Sequence, residues 1–359
     1  MDTSEQLFLN KLLAALAEYK ASDLHLVAGN FPILRVNGKL IPLNHEQPIN
    51  FNFLNTIVQT WLNDEQKKIL AKDKSIVFSY TASNKMRFRV GVYYQKGSLS
   101  ISLKLIPQSL RSLDELGVPL ALQQAVELNK GLIIVAGPFG SGKTTTQAAL
   151  IESINQSKSK HIITIEKPIE YLFADSQSVI EQREIGNDTP SAVEALKFVA
   201  DEDVDIVSLS SLEGKIVVEE VCRVVDSGRL VIAAVNTESV TQTLENIVNN
   251  FLPAERQSIQ EKLARILVGI VVQKVVPNLQ GSSSLAYELF FPEDDQNARA
   301  IVSAGEFAKI NNVMDTSTKP GLISFDRCLA NMANNSQISL NIALQNAHDK
   351  DYFRSLISS

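Results

Sequence analysis

The sequence predicts an α/β protein: a mostly parallel sheet flanked by helices, preceded by a small α+β domain and followed by a helical C-terminal part. Three observations carry that prediction. Apolar runs at Leu132–Ala136, His161–Glu166, Asp205–Leu209 and Arg229–Val235 are separated by helix-compatible segments, the pattern of parallel strands covered on both faces. The stretch Gly137-Pro138-Phe139-Gly140-Ser141-Gly142-Lys143-Thr144 is a complete G-x-x-x-x-G-K-[ST], and it sits between the first run and a helix starting at Lys143. Upstream, strand-like pieces and an Asn37-Gly38 hairpin signal between two apolar runs describe a separate region.

Leu7 to Tyr19 carries apolar residues at helical spacing, and strand-like pieces come after it at Asp23–Val27, Ile33–Val36, Ile76–Tyr80, Met86–Tyr94 and Ser100–Leu105. These make an N-terminal α+β domain of residues 1–107. A linker, 108–118, is rich in turn residues, and 119–359 form a phosphate-loop domain with a helical C-terminal extension. Pro119 starts a helix that runs to about Asn129 and is closed by Lys130-Gly131. After Asn250 the pattern is mostly helical, with a strand-like interruption at Leu285–Phe290. Internal repeats and low-complexity tracts are absent from the sequence.

Bulk properties narrow the class. A chain of 359 residues, 45 % hydrophobic and 21 % charged, has the composition of a soluble globular protein of about two domains. Its net charge of −6 argues against nucleic acid or acidic membranes as partners. Cys222 and Cys328 are the two cysteines, too few for a four-cysteine zinc site. The N-terminal Met1-Asp2-Thr3-Ser4-Glu5 is acidic and lacks a signal-peptide pattern, and the longest apolar runs, such as Ile266–Val272, have core-element length. A cytoplasmic location is expected. Charge is uneven: seven Lys/Arg and no acid lie between Asp73 and Asp114, but twelve Asp/Glu and four Lys/Arg from Glu181 to Asp226. Either two solvated faces result, or a basic and an acidic face that meet within or between chains.

The glycine-rich loop has a direct chemical reading. Its glycines let successive N–H groups wrap a polyphosphate, aided by the positive end of the following helix. Lys143 reaches the terminal phosphates and the Thr144 hydroxyl ligates Mg²⁺, with Thr145 beside it. ATP or GTP is the implied ligand.

The order of these pieces resembles the PilT-like type IV pilus retraction ATPases of the bacterial type II/IV secretion ATPase superfamily. The resemblance runs through Ala21-Ser22-Asp23-Leu24-His25-Leu26, Arg35-Val36-Asn37-Gly38, Arg87-Phe88-Arg89-Val90 and Leu113-Asp114-Glu115-Leu116-Gly117. It continues in Ile163-Thr164-Ile165-Glu166-Lys167-Pro168-Ile169-Glu170, Gln182-Arg183-Glu184, Phe251-Leu252-Pro253-Ala254-Glu255 and Ala286-Tyr287-Glu288. It implies a RecA-like P-loop domain and a PAS-like N-terminal domain. It also implies a ring hexamer with ATP between subunits and work at the inner-membrane pilus base in twitching motility. Implied partners are further copies of the chain, or a retraction ATPase paralogue in a mixed ring, and an inner-membrane pilus platform protein. Arg87, Arg89 and Lys104 match positions that in the family reach a neighbour's nucleotide; the plain alternative is solubilising charge on an edge strand.

The sequence departs from the family where water is activated. The family's catalytic glutamate position holds Ser211, in Ser210-Ser211-Leu212-Glu213-Gly214, and its histidine position holds Asn236, in Val235-Asn236-Thr237. Asn236 can still donate to a phosphate but cannot transfer a proton. Asp205 is six residues upstream of Ser211, ~20 Å along a strand and at the wrong end of the sheet. Glu213, two residues downstream, remains a candidate relocated acid. Lys167 replaces an aspartate of the acidic box, while Glu166 and Glu170 remain as candidates for Mg²⁺. Asp201 and Glu213 stand where the family has arginines, and its C-terminal retraction signature appears as Arg299-Ala300-Ile301-Val302-Ser303-Ala304.

The sequence is compatible with three functions. The chain binds nucleotide but hydrolyses it poorly, acting with an active retraction ATPase; or it is an active retraction ATPase whose acid is Glu166, Glu170 or Glu213; or it is a non-enzymatic ring or adaptor.

Overall fold

A computed structural model describes residues 3–357 except 84, 108, 293 and 294; Gln108, the first linker residue, and Met1 and Asp2 of the acidic N-terminus lie outside the described residues. The chain forms two compact units, Met1–Ser109 with Lys167–Leu172, and Leu110–Glu166 with Phe173–Ser359.

The first unit is built on an antiparallel sheet of six strands: β1 (Asp23–Val27), β2 (Ile33–Val36), β3 (Lys39–Pro42), β4 (Ser75–Thr81), β5 (Arg87–Gln95) and β6 (Ser98–Ile106). Their order is β3-β2-β1-β6-β5-β4. The Asn37-Gly38 turn closes β2 onto β3 with both residues at positive φ, 48° and 79°. Helix Thr3–Glu18 covers this sheet with Leu9, Leu12, Leu13 and Leu16, all buried at helical spacing. Beyond the hairpin the sequence predicts nothing up to Ile76, yet two helices stand there. Phe51–Trp61 is capped by the Asn50 side chain, and Asp64–Asp73 by a reciprocal Asn63–Gln66 capping box.

The second unit holds eight strands: β7 (Gly131–Ala136), β8 (His161–Glu166), β9 (Val179–Glu184), β10 (Ile206–Leu209), β11 (Leu230–Val235), β12 (Leu267–Pro277), β13 (Ser283–Phe290) and β14 (Leu322–Ile323). The order is β14-β13-β12-β7-β11-β10-β8-β9, with every pair from β12 to β9 parallel and the pairs β12–β13 and β13–β14 antiparallel. The mostly parallel α/β class is therefore observed. β7 and β11 are buried at every residue, as apolar strands with helices on both faces must be.

Two predictions change in detail. The helix expected from Pro119 to Asn129 spans only Leu120–Ala125, after which the chain tightens into turns in which Glu127 N donates to Gln124 O (3.0 Å) and Leu128 N to Ala125 O (3.3 Å). The run Ile266–Val272 leaves the helical pattern after its first residue: Leu267–Pro277 form β12, the strand that carries the sheet past β7. Helices do dominate the rest of the C-terminal part, at Arg256–Ile266, Gln296–Ala304, Ile310–Thr316, Phe325–Asn334, Leu340–Asn346 and Lys350–Ile357. Among the described residues no helix is long and apolar enough to cross a membrane.

Candidate functional site

The carboxyl edge of the parallel strands gathers most of the predicted site. β7 runs into Gly137, whose N–H donates to Val235 O at the end of β11 (3.3 Å). Beyond β10, Ser210 N donates to Ile165 O of β8 (3.0 Å) and Leu212 N to Ala234 O of β11 (2.9 Å). Ser211 is thereby bracketed between the strand ends that carry Glu166 and Asn236. In α/β sheets ligands bind at this edge. Asp205 lies at the opposite edge, as its sequence position requires: its carboxylate accepts from His161 N (2.9 Å) and Lys160 Nζ (3.2 Å).

The loop itself is built on glycine. Gly137 has φ +152°, and a Cβ there would run into the Gln273 carbonyl oxygen and the Ser141 hydroxyl. Gly142, at φ +88°, is the last residue before helix Lys143–Ser157. Pro138 is partly buried, Phe139 and Gly140 are exposed at the tip, and Thr144 and Thr145 occupy the first turn of the helix. Lys143 folds back, its Nζ donating to Gly137 O (2.7 Å) and Pro138 O (2.9 Å). Burial pushes its pKa below the ordinary lysine value, since a half-desolvated ammonium is harder to keep charged.

The candidate acids are held differently. Glu166, at the end of β8, accepts from Thr164 Oγ1 (2.6 Å) and Gln182 Nε2 (3.2 Å), so two neutral donors fix its carboxylate. Glu213 is exposed just past Leu212, and Asn236 is exposed just past β11. Glu170 lies in the first unit, ion-paired with Arg89 (3.1 Å). Arg87 joins that cluster: Nε donates to Glu170 O (3.0 Å), Nη2 to Ile169 O (2.8 Å) and Ser79 Oγ (2.9 Å), and Nη1 to Thr81 Oγ1 (2.9 Å). Alternation along β5 puts Arg87 and Arg89 on one face, and that face grips the 167–172 segment. The structure thus groups Arg87, Arg89 and Glu170, and separately the loop, Glu166, Ser211 and Asn236. Arg299, in the altered C-terminal signature, donates to Ala264 O (2.8 Å) and Leu267 O (3.3 Å), closing the end of helix Arg256–Ile266.

Residues without a local sequence signal complete the edge. Gln147, buried one turn after Lys143, donates to Leu209 O (3.1 Å) and Ile232 O (3.2 Å), tying the loop's helix to β10 and β11. Gln273 of β12 donates to Ser141 O at 2.8 Å.

Comparison with known proteins places this geometry. The family model described as type II/IV secretion system protein matches residues 2–315. The type IV pilus retraction ATPase PilT of Pseudomonas aeruginosa is 28 % identical over 96 % of this chain and 99 % of its own length. The type IV pilus ATPase PilU of the same organism is 30 % identical over 97 % and 90 %. The crystal structure of the pilus retraction motor PilT with bound ADP superposes with a TM-score of 0.85 at 30 % identity, covering 95 % of this chain and 97 % of that one. The ATPase DotB of Legionella pneumophila, at 19 % identity and a TM-score of 0.80, shares the fold. The chain is a PilT-like member of the type II/IV secretion system protein family.

Proposed function

We propose that this chain is a nucleotide-binding protein of the type IV pilus retraction machinery that holds ATP with Mg²⁺, hydrolyses it poorly and acts with an active retraction ATPase. The observation that carries this is the contrast along one sheet edge. An intact phosphate loop, Gly137 to Thr144, is followed at the neighbouring strand ends by Ser211 and Asn236, neither of which is a base at neutral pH. Each missing acid–base function costs roughly 10²–10⁴-fold in rate, whereas binding rests on groups that remain. Lys143 and Thr144 take the phosphate and metal roles. Asn236 donates to the terminal phosphate, and Glu166 accepts from the waters of the metal. The ADP-bound state of the PilT relative supports a nucleotide here. The chain works as a ring, of its own copies or mixed with the paralogue, against a membrane platform protein at the cytoplasmic pilus base.

The test is binding and turnover on the purified protein. Wild type should bind ATP, Lys143→Ala should lose it by at least about tenfold, and steady-state ATPase should be near background alone. Absence of ATP binding by wild type would sink the proposal. Robust turnover alone, abolished by Glu213→Gln or Glu166→Gln, would replace it with an active motor using a relocated acid. No turnover alone or in any mixture with a retraction ATPase, with unchanged motility in a Lys143→Ala strain, would leave a non-enzymatic adaptor.

A further inference from the structure

β12 passes beside the phosphate loop, and Gln273 touches both of its ends. The main-chain oxygen of Gln273 lies where a Gly137 side chain would be, and its Nε2 lies 3.3 Å from the Cβ position of Gly142. Its side chain is buried, donates to Ser141 O at 2.8 Å, and leaves Oε1 without a protein partner among the described residues. The hydroxyl of Ser141 is likewise buried and unpartnered there. A core amide using half its capacity is a poor choice for stability alone. An apolar residue of the same shape would remove that orphaned acceptor, but it would leave the Ser141 carbonyl without its donor. The bond it does make has a geometric effect. In a trans peptide the C=O of Ser141 and the N–H of Gly142 point in opposite directions. Drawing the carbonyl toward β12 turns the Gly142 N–H away from the sheet, to the side on which a loop of this kind cradles phosphate oxygens.

We propose that Gln273 is a positioning residue for polyphosphate binding: it fixes the Ser141–Gly142 peptide so that the Gly142 N–H faces the ligand. The inference rests on the nucleotide-binding reading above and deepens it.

The full-length protein tests it with Gln273→Met, which keeps length and loses the donor, and Gln273→Glu. Two readouts are needed: affinity for a fluorescent ADP, and hydrogen–deuterium exchange of the 137–142 amides without nucleotide. Gln273→Met should still fold, melting at or somewhat below the wild-type temperature, exchange faster in the loop, and bind ADP about tenfold more weakly. A protonated carboxyl can donate to Ser141 O and a carboxylate cannot. The affinity of Gln273→Glu relative to wild type should therefore recover as pH falls from about 8 to about 6, as burial raises the carboxyl pKa. Charge repulsion of the ligand by a carboxylate would give a similar affinity profile, so the deciding readout is loop exchange without nucleotide. Relative to wild type, that exchange should slow in Gln273→Glu over the same fall in pH only if residue 273 positions the peptide. Wild-type affinity in both variants at every pH, with unchanged loop exchange, overturns the inference while leaving nucleotide binding intact. If wild type binds no ADP, the functional reading falls. The exchange data then decide on Gln273 alone: faster loop exchange upholds the positioning, and unchanged exchange overturns it.

Discussion

Glu288, in the Ala286-Tyr287-Glu288 string, is 2 % exposed on β13 and accepts from Val240 N (3.3 Å) at the start of helix Val240–Asn249. Burial pushes its carboxyl up from 4.5 to about 7, opposed by the Val240 amide and helped by the charges of Asp315 and Asp326. The folded value is the higher one, so the stabilisation from this group is whole below about 4.5 and is lost as pH rises through about 7. Glu288→Gln keeps an acceptor for the amide and cannot ionise. Thermal denaturation across that window should show a flatter decline in the variant than in wild type; parallel declines would count against the assignment. At this scale the sequence is legible where chemistry is local. Eight consecutive residues announce the phosphate loop, and Ser211 and Asn236 are found because the family resemblance sets them where relatives carry a glutamate and a histidine. Gln273 is not, because one amide in an apolar run 131 residues beyond Gly142 carries no mark of what it will touch.

Elements were legible where a single period dominates. β7, β8, β10 and β11 are bounded apolar runs, and the sequence places them to within a residue or so. β9 escapes because Val179-Ile180-Glu181-Gln182-Arg183-Glu184 is an edge strand whose charges resemble a loop. β12 escapes because a continuous apolar run does not separate strand from buried helix. Its Gly269 has a reason that only packing reveals: a Cβ there would run into the ring of Phe291. Gly269→Ala should therefore cost about 1–3 kcal/mol, read from the denaturant midpoint. Phe291→Leu in the same chain should return part of the loss; a fully additive cost would refute the clash.

On the scale of the whole molecule, the order of strand-like and helical segments divides the sequence at the 108–118 linker, and the structure forms two compact units. What it does not signal is that Lys167–Leu172 belongs with the first. That membership depends on Arg87 and Arg89 of a strand some eighty residues away, and no local pattern encodes such a contact. The opposite charge runs, basic from Lys74 to Arg111 and acidic from Glu181 to Asp226, bear on assembly. If copies meet through these faces, self-association should weaken when salt is raised from about 0.05 M to about 0.5 M, as screening shortens from over 10 Å to under 5 Å. Sedimentation velocity at the two salts checks this, and salt-independent association would point to apolar contacts instead.

The bond from Lys143 to the carbonyls of Gly137 and Pro138 gives the loop an internal rival for every ligand. An incoming anion gains only the difference between its own charge and two carbonyl dipoles that already hold the ammonium. A lone monoanion offers little advantage in that exchange, whereas a di- or triphosphate brings several charges and fills the backbone cradle at the same time. If the loop holds a nucleotide as proposed, that exchange favours a polyphosphate over a single anion.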